Sequence, residues 1–134
     1  MAEHPNVTLT KESLTAMEKG DMGWLESHMA DDIVWHVGGN SKSAGTYKGK
    51  ETVMGFFAGM NDVSMDLDVH DVLGNDDHAV VLGSAKLSAP DGDSVEYNYV
   101  NVFHISDGKV TEVWGMSEND AETDPFWDKL APPS

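Results

Sequence analysis

A strand candidate with two apolar faces, Val95–Ile105, is the feature that most limits how this chain can fold. One side is almost entirely apolar and consists of Val95, Tyr97, Tyr99, Asn101, Phe103 and Ile105. The other side includes Val100 and Val102. Because successive side chains of a strand point to opposite faces, both faces of the surrounding sheet need a cover. Helices of the same chain can cover one face. A second copy is the simplest cover for the other, so we expect a homodimer.

Four strand candidates follow one another in the second half of the chain. We predict strands over Ser64–Leu73, His78–Leu87, Val95–Ile105 and Val110–Met116. The segments between them, 74–77, 90–93 and 106–109, are rich in Gly, Asn and Asp, which tolerate turn geometry. Short connections of this kind join antiparallel neighbours, so the pattern predicts an antiparallel meander.

The first half of the chain is mainly helical. One helix is predicted over Asn6–Lys19, and a short second helix follows Asp21 as its N-cap. After a short β-rich run, Ile33–Val37, and a polar loop, a third helix carries one apolar stripe at i, i+3, i+4 and i+7: Val53, Phe56, Phe57 and Met60. A final short helix is expected to begin at Asp124-Pro125. Helices gathered at one end and strands at the other predict a single α+β domain, residues 1–134, with the helices on one sheet face.

The charge balance limits the partners. The chain carries 24 acidic and eight basic residues, a net charge of −16, and all eight basic residues are lysines. The electrostatic field of such a negative chain repels DNA, RNA and anionic lipid. Without arginine, the chain also lacks the planar fork that grips phosphates. We therefore expect no nucleic-acid or membrane partner.

Several classes of site are excluded or disfavoured. With no cysteine, the chain has no disulfide, thiol nucleophile or thiolate metal site. His70, His78 and His104 lie on separate strands without ligand spacing, so we predict no metal site. No glycine-rich phosphate loop is present, and we expect no cofactor. The sequence has no secretory signal and no apolar run of about 20 residues, which predicts a cytoplasmic location.

The order of motifs resembles the SnoaL-like members of the nuclear-transport-factor-2-like superfamily, which are related to ketosteroid isomerases and small polyketide cyclases. The resemblance covers nearly the whole chain and rests on these stretches: Gly20-Asp21, Ala30–Val37, Ala44–Gly49, Phe56-Phe57, His70–Leu73, Val102–Trp114, Asp120 and Asp124–Trp127. It implies a curved antiparallel sheet wrapped around the N-terminal helices to form a cone-shaped, mostly apolar cavity. A small hydrophobic organic molecule is the implied partner.

The resemblance also implies two proton-transferring residues. In the cyclases an aspartate after the last strand acts as acid and base, and Asp120 matches that position. In the isomerases a carboxylate stands at the end of the first strand, where this chain has His36 after a one-residue shift. His36 and Asp120 are therefore the predicted catalytic pair. The alternatives are a structural histidine bonded to a backbone carbonyl and an ordinary loop aspartate.

Six further residues are predicted to contact the ligand: Asn101, Tyr99, Trp24, Phe57, Phe103 and Trp114. The Asn101 amide interrupts an aromatic row and needs polar partners, either a ligand oxygen or a neighbouring strand. Tyr99, and Tyr97 beside it, can donate a hydroxyl or simply fill the core. Three functions remain open at this point. The chain is a cofactor-free cyclase, isomerase or hydratase acting on a hydrophobic carbonyl compound, a non-catalytic binding module, or a dimerisation domain with a filled cavity.

Overall fold

Helices and strands alternate at first and then give way to a run of long strands. The computed structural model describes residues 3–60 and 62–130. Its elements, in chain order, are α1 (Pro5–Lys19), α2 (Met22–Ser27), β1 (Met29–Val37), β2 (Gly45–Lys48), α3 (Lys50–Gly59), β3 (Ser64–Gly74), β4 (His78–Ser88), β5 (Ser94–Ser106), β6 (Lys109–Ser117) and α4 (Asp120–Leu130). The predicted α+β class, with helices at the N-terminal end of the chain, is confirmed.

The six strands form one curved, unclosed sheet in the order β2-β1-β6-β5-β4-β3. The predicted meander over β3 to β6 is confirmed, since each of these strands pairs antiparallel with the next. One pair of the otherwise antiparallel sheet is parallel, because β1 runs in the same direction as β6. That pairing places Trp35 beside Val113 and His36 beside Trp114. A parallel pair needs a long crossover, which the chain between β1 and β6 supplies.

Local sequence explains most element ends. Pro5 opens α1, and Gly20 closes it with φ +71°, a left-handed backbone that glycine adopts without strain. The Asp21 side chain caps α2 by accepting from the backbone N–H of Trp24 at 3.1 Å. The final helix starts at Asp120, four residues before the predicted start, because the backbone N–H groups of Glu122 and Thr123 already donate to the Asn119 carbonyl. The segment around Tyr47, between the polar loop and α3, forms the short strand β2.

The core lies between the helices and one face of the sheet, here called the inner face. Helix α1 packs on β3 and β4, α3 on β1 and β2, and α4 on β5. Trp35 meets the ring of Phe57 edge-on at a centroid distance of 5.0 Å. Ile33, Phe103 and Val113 are fully or almost fully buried beneath these rings. Burying a side chain of this kind stabilises the folded state by about 1.5–3 kcal/mol relative to leaving it exposed. None of the described helices is both long and apolar enough to cross a membrane.

Candidate functional site

A cavity of about 140 Å³ remains on the inner face, where α1, α3 and α4 meet the sheet. Its walls are mostly apolar and include Trp35, Phe56, Phe57, Met65, Leu67 and Ala85. A volume near 150 Å³ is enough for a single aromatic ring. The cavity therefore suits a small molecule with one ring.

Polar groups enter this cavity mainly from α4. Asp120 and Asp124 lie one helical turn apart and both line it. The two Asp124 oxygens accept from the backbone N–H of Asn40 at 3.2 and 3.1 Å, and Asp128 accepts from that of Lys42 at 2.6 Å. Asp120, which is half-buried, has no hydrogen bond or ion pair within the described parts of the chain. Two aspartates thus fix the loop after β1, whereas the third makes no such bond.

Gly39 sits directly against these carboxylates. A side chain built there would place Cβ 2.6 Å from an Asp124 oxygen and 3.4 Å from an Asp120 oxygen. The residue also has φ +88°, which favours glycine. The close approach of the backbone keeps the two carboxylates and the cavity wall together.

The tyrosines and one amide of β5 form the polar part of the sheet wall. Tyr97, Tyr99 and Asn101 all line the cavity from alternate positions of the strand. The buried Tyr99 hydroxyl has no hydrogen-bond partner among the described residues, an arrangement that is uncommon in folded proteins. It lies over Gly83, where an added Cβ would be 3.0 Å from the hydroxyl oxygen.

Burial keeps these tyrosines protonated. Burial, and then the neighbouring Tyr99, raises the pKa of Tyr97 to about 12. Burial also raises the pKa of Tyr99, with smaller contributions from the charges of Glu18 and Asp68. A neutral phenol can donate a hydrogen bond, whereas a phenolate cannot. Both hydroxyls are therefore donors at neutral pH.

Four of the predicted site residues come together at the cavity: Asp120, Asn101, Tyr99 and Phe57. Phe103 does not line it, since its ring is 1% exposed and packs edge-on against Trp35 at 6.4 Å. Trp24 also lies elsewhere, stacked on His28 of the α2 C-cap at 3.9 Å. Both residues are aromatic neighbours of the core, which sequence patterns alone do not distinguish from a cavity wall.

His36 and Trp114 lie on the other face of the sheet, here called the outer face. His36 Nε2 is 2.7 Å from Glu112 Oε2, and Nδ1 is 3.0 Å from the Thr46 hydroxyl. Its ring stacks on Trp114 at 5.0 Å. The reason is strand alternation, because Trp35 and Val37 on either side face the cavity. His36 and Asp120 therefore do not converge on one point, contrary to the predicted catalytic pairing.

Some residues that line the cavity were not predicted. Most of them either belong to α4 or are methionines. They include Thr123, Asp124, Trp127, Met17, Met60 and Met65. The spacing of Asp120, Thr123, Asp124 and Trp127 at i, i+3, i+4 and i+7 marks one helical face. The predicted helix begins at Asp124, so Asp120 and Thr123 lie outside it and the shared face is not recognised.

A metal site does not arise from these groups. Within residues 3–60 and 62–130, no three histidine, aspartate or glutamate side chains are arranged to hold a metal ion. The polar residues that line the cavity are two aspartates, two tyrosines, one asparagine, Ser117 and Thr123, beside an apolar wall.

The tyrosines give a direct test of this burial. All three tyrosines of the chain, Tyr47, Tyr97 and Tyr99, have pKa values raised by burial above the ordinary value of 10. Since the folded values exceed the unfolded one, the associated stability is fully present below pH 10 and is lost as the pH rises through the folded values. Absorbance at 295 nm should show native tyrosine ionisation displaced above pH 10. A full three-tyrosine transition centred at pH 10 in folded protein would contradict the burial.

Comparison with known proteins supports the architecture. The family model of the SnoaL-like domain matches residues 10–113. An uncharacterized protein of Mycobacterium tuberculosis is 24% identical over 130 residues, which cover 95% of this chain and 99% of that one. Bal32a, from a soil-derived mobile gene cassette, superposes with a TM-score of 0.83 at 22% identity, covering 92% of this chain and 96% of that one. TerC, co-crystallized with polyporic acid, gives 0.77 at 21% identity, with 89% and 95% covered.

The family match spans more than half of the chain. The architecture agrees with it, since helices cover one face of a curved sheet in both this chain and its structural neighbours. The fold is one on which small-molecule binding and isomerase or cyclase activity both occur. The chain belongs to the SnoaL-like domain family.

Proposed function

We propose that the inner-face cavity binds a small, mostly apolar carbonyl compound and that Asp120 moves a proton on it without a cofactor. The observation that carries the proposal is the free carboxylate of Asp120 in the wall of an apolar cavity. A carboxylate without a structural partner is available to take up and return a proton. TerC, which has the same fold, was crystallized with an organic ligand, polyporic acid.

The sheet wall supplies the complementary donors. When Asp120 removes a proton from the carbon next to the carbonyl, the C–H electron pair moves toward the carbonyl oxygen. The oxygen then carries negative charge, which the hydroxyl of Tyr97 and the amide of Asn101 are suited to stabilise. In a substrate with a C=C bond conjugated to the enolate, return of the proton from Asp120 to the far carbon of that system gives an isomerised product. In a substrate with a second carbonyl, the enolate carbon can instead form a C–C bond to that carbonyl carbon, while its C=O electron pair moves to the oxygen and takes the proton from Asp120.

An exchange experiment tests proton transfer without knowledge of the natural substrate. Acetophenone has one ring, one carbonyl and three exchangeable methyl hydrogens, and fits the size of the cavity. In D2O the protein should accelerate deuterium uptake into that methyl group, followed by mass spectrometry. Asp120→Asn should reduce the acceleration by about 10²–10⁴-fold, the usual contribution of a general base, while the melting temperature is kept.

Glu122→Gln is the matched control, because it removes the same charge from the first turn of α4 at an exposed position. It should retain full exchange activity. Equal exchange in wild type and Asp120→Asn would sink the acid/base role. Saturable acetophenone binding with no exchange at all would favour the alternative, a non-catalytic binding module.

The outer face supports a second proposal, that two copies pair through it. Its centre carries Val80, Val100, Val102 and Trp114, and Leu73 beside them is 52% exposed. No described element packs over these side chains. Exposed apolar patches of this kind are typical of protein interfaces.

Charge is distributed so as to favour this contact. The chain has 24 acidic residues, yet Glu112 is the one carboxylate in the rows of β4, β5 and β6 that pair through Val102 and His104, whereas Asp66, Asp68 and Asp71 lie on the edge strand β3. The Glu112 carboxylate lies 2.7 Å from His36 Nε2 and 3.9 Å from His104 Nδ1. Depletion of charge at the centre is characteristic of interface cores. A second copy of the chain presents the same surface and is its simplest partner.

The dimer is tested by adding a charge at its centre. Val102→Glu should weaken self-association at least about 100-fold, because an unpaired carboxylate would be buried. Ala58→Glu adds the same charge on an exposed position of α3 and should leave the dimer intact. Light scattering after gel filtration measures the mass. Added salt should tighten the wild-type dimer by screening repulsion between copies that each carry −16. A wild-type monomer at 100 µM would overturn the proposal.

A further inference from the structure

The cavity is separated from a surface cleft only by a few side chains. The cleft has a volume of about 390 Å³, lies where α1 and α2 meet the start of β3, and includes Met22, Leu25 and Val63. Four residues line both spaces: Met17, Phe57, Met60 and Met65. They form a partition in which three of four members are methionines.

The methionine members of the partition can move, whereas its aromatic member is held. Methionine is unbranched and has three rotatable bonds, so its side chain adapts to the shape beside it. Met17, Met60 and Met65 are all half-buried, which leaves space for other rotamers. Phe57 is buried and fixed edge-on against Trp35 at 5.0 Å. Rotation of the methionines beside a fixed ring opens a narrow slot.

We propose that a ligand bound in the cavity extends an unbranched apolar tail between these methionines into the cleft. This inference rests on the proposed function and adds the substrate class: a one-ring carbonyl compound with an alkyl chain. The cavity alone, at about 140 Å³, is below the range of about 300–1,000 Å³ that is usual for ligand sites. Cavity and cleft together fall within that range. A narrow slot admits a straight chain and excludes a second fused ring.

The chemistry of the cleft mouth favours an uncharged tail. Glu18 and Lys19 both line the mouth of the cleft, where their opposite charges offset each other. Glu18 is also fixed, because its carboxylate accepts from the backbone N–H of Leu67 at 2.8 Å. A carboxylate at the end of the tail would meet this fixed negative charge. The inner part of the cleft, with Met22, Leu25 and Val63, is apolar.

A chain-length series tests the partition. The probes are acetophenone and its 4-ethyl, 4-butyl, 4-hexyl and 4-octyl derivatives, with affinity measured by quenching of tryptophan fluorescence. If the tail enters the cleft, affinity should rise about threefold to fourfold per buried methylene through at least the hexyl compound. Met22→Trp fills the cleft without touching the cavity and should abolish this gain while acetophenone binds as before. Ala58→Trp, which adds the same ring at an exposed position of α3 outside both spaces, should keep the gain.

The outcomes separate this inference from the proposed function. An affinity that stops rising after the ethyl compound in wild type overturns the inference, and so does a gain that persists in Met22→Trp. In either case acetophenone binding leaves the proposed function standing. If neither acetophenone nor any derivative binds, both proposals fail. Melting temperatures of the two variants establish that they are folded, and the wild-type series alone decides the matter if Met22→Trp is not.

Discussion

The alternation of side chains along β5 and β1 is the constraint on which the rest of this structure depends. It sends Tyr97, Tyr99 and Asn101 to the inner face together with Trp35. It sends Val102 and His36 to the outer face by the same rule. A shift of one residue in either strand would exchange the two sets. The ligand wall and the proposed dimer face are therefore two consequences of one register.

The helices complete the site by covering the inner face without filling it. Phe57 of α3 packs directly on Trp35, while α4 brings Asp120 to the wall rather than an apolar side chain. Close packing is the rule in protein interiors, yet this space stays open with the carboxylate of Asp120 in its wall. The carboxylates of Asp124 and Asp128 hold the loop after β1 against α4. Asp120 thus stands on a helix that is fixed at two further points.

Much of the fold follows from the sequence because its signals are local. The glycine- and aspartate-rich turns mark the ends of β3 to β6, and alternation along β5 assigns Tyr99 and Asn101 to the same face. The parallel pairing of β1 with β6 joins residues nearly 80 positions apart, as in His36 and Trp114, and has no local signal. The start of α4 was missed because Asp124-Pro125 resembles a helix start, although Asn119 already accepts the first backbone bonds.

On the strands, the candidate site was predictable only where alternation was applied, whereas Asp120 followed from the family resemblance. Reading Ile33, Trp35 and Val37 as the inner face of β1 would have placed His36 outside, next to Glu112. Trp24 and Trp114 were assigned from aromatic character, which is shared by core, surface stacks and cavity walls. The methionines lie between the cavity and the surface cleft. Which residues separate two such spaces is known only from the folded structure.

The central claim is that the inner-face cavity is a ligand site, and methionine methyl resonances test it most directly. The chain has eight methionines. With 13C-labelled methyl groups, titration with acetophenone should shift the signals of Met17, Met60 and Met65, which line the cavity. The signals of Met29 and Met54, which do not line it, should stay in place. Saturable shifts confined to the first group are the predicted result. Unchanged signals at all three lining methionines, at ligand concentrations that saturate the protein by another measure, would contradict the account.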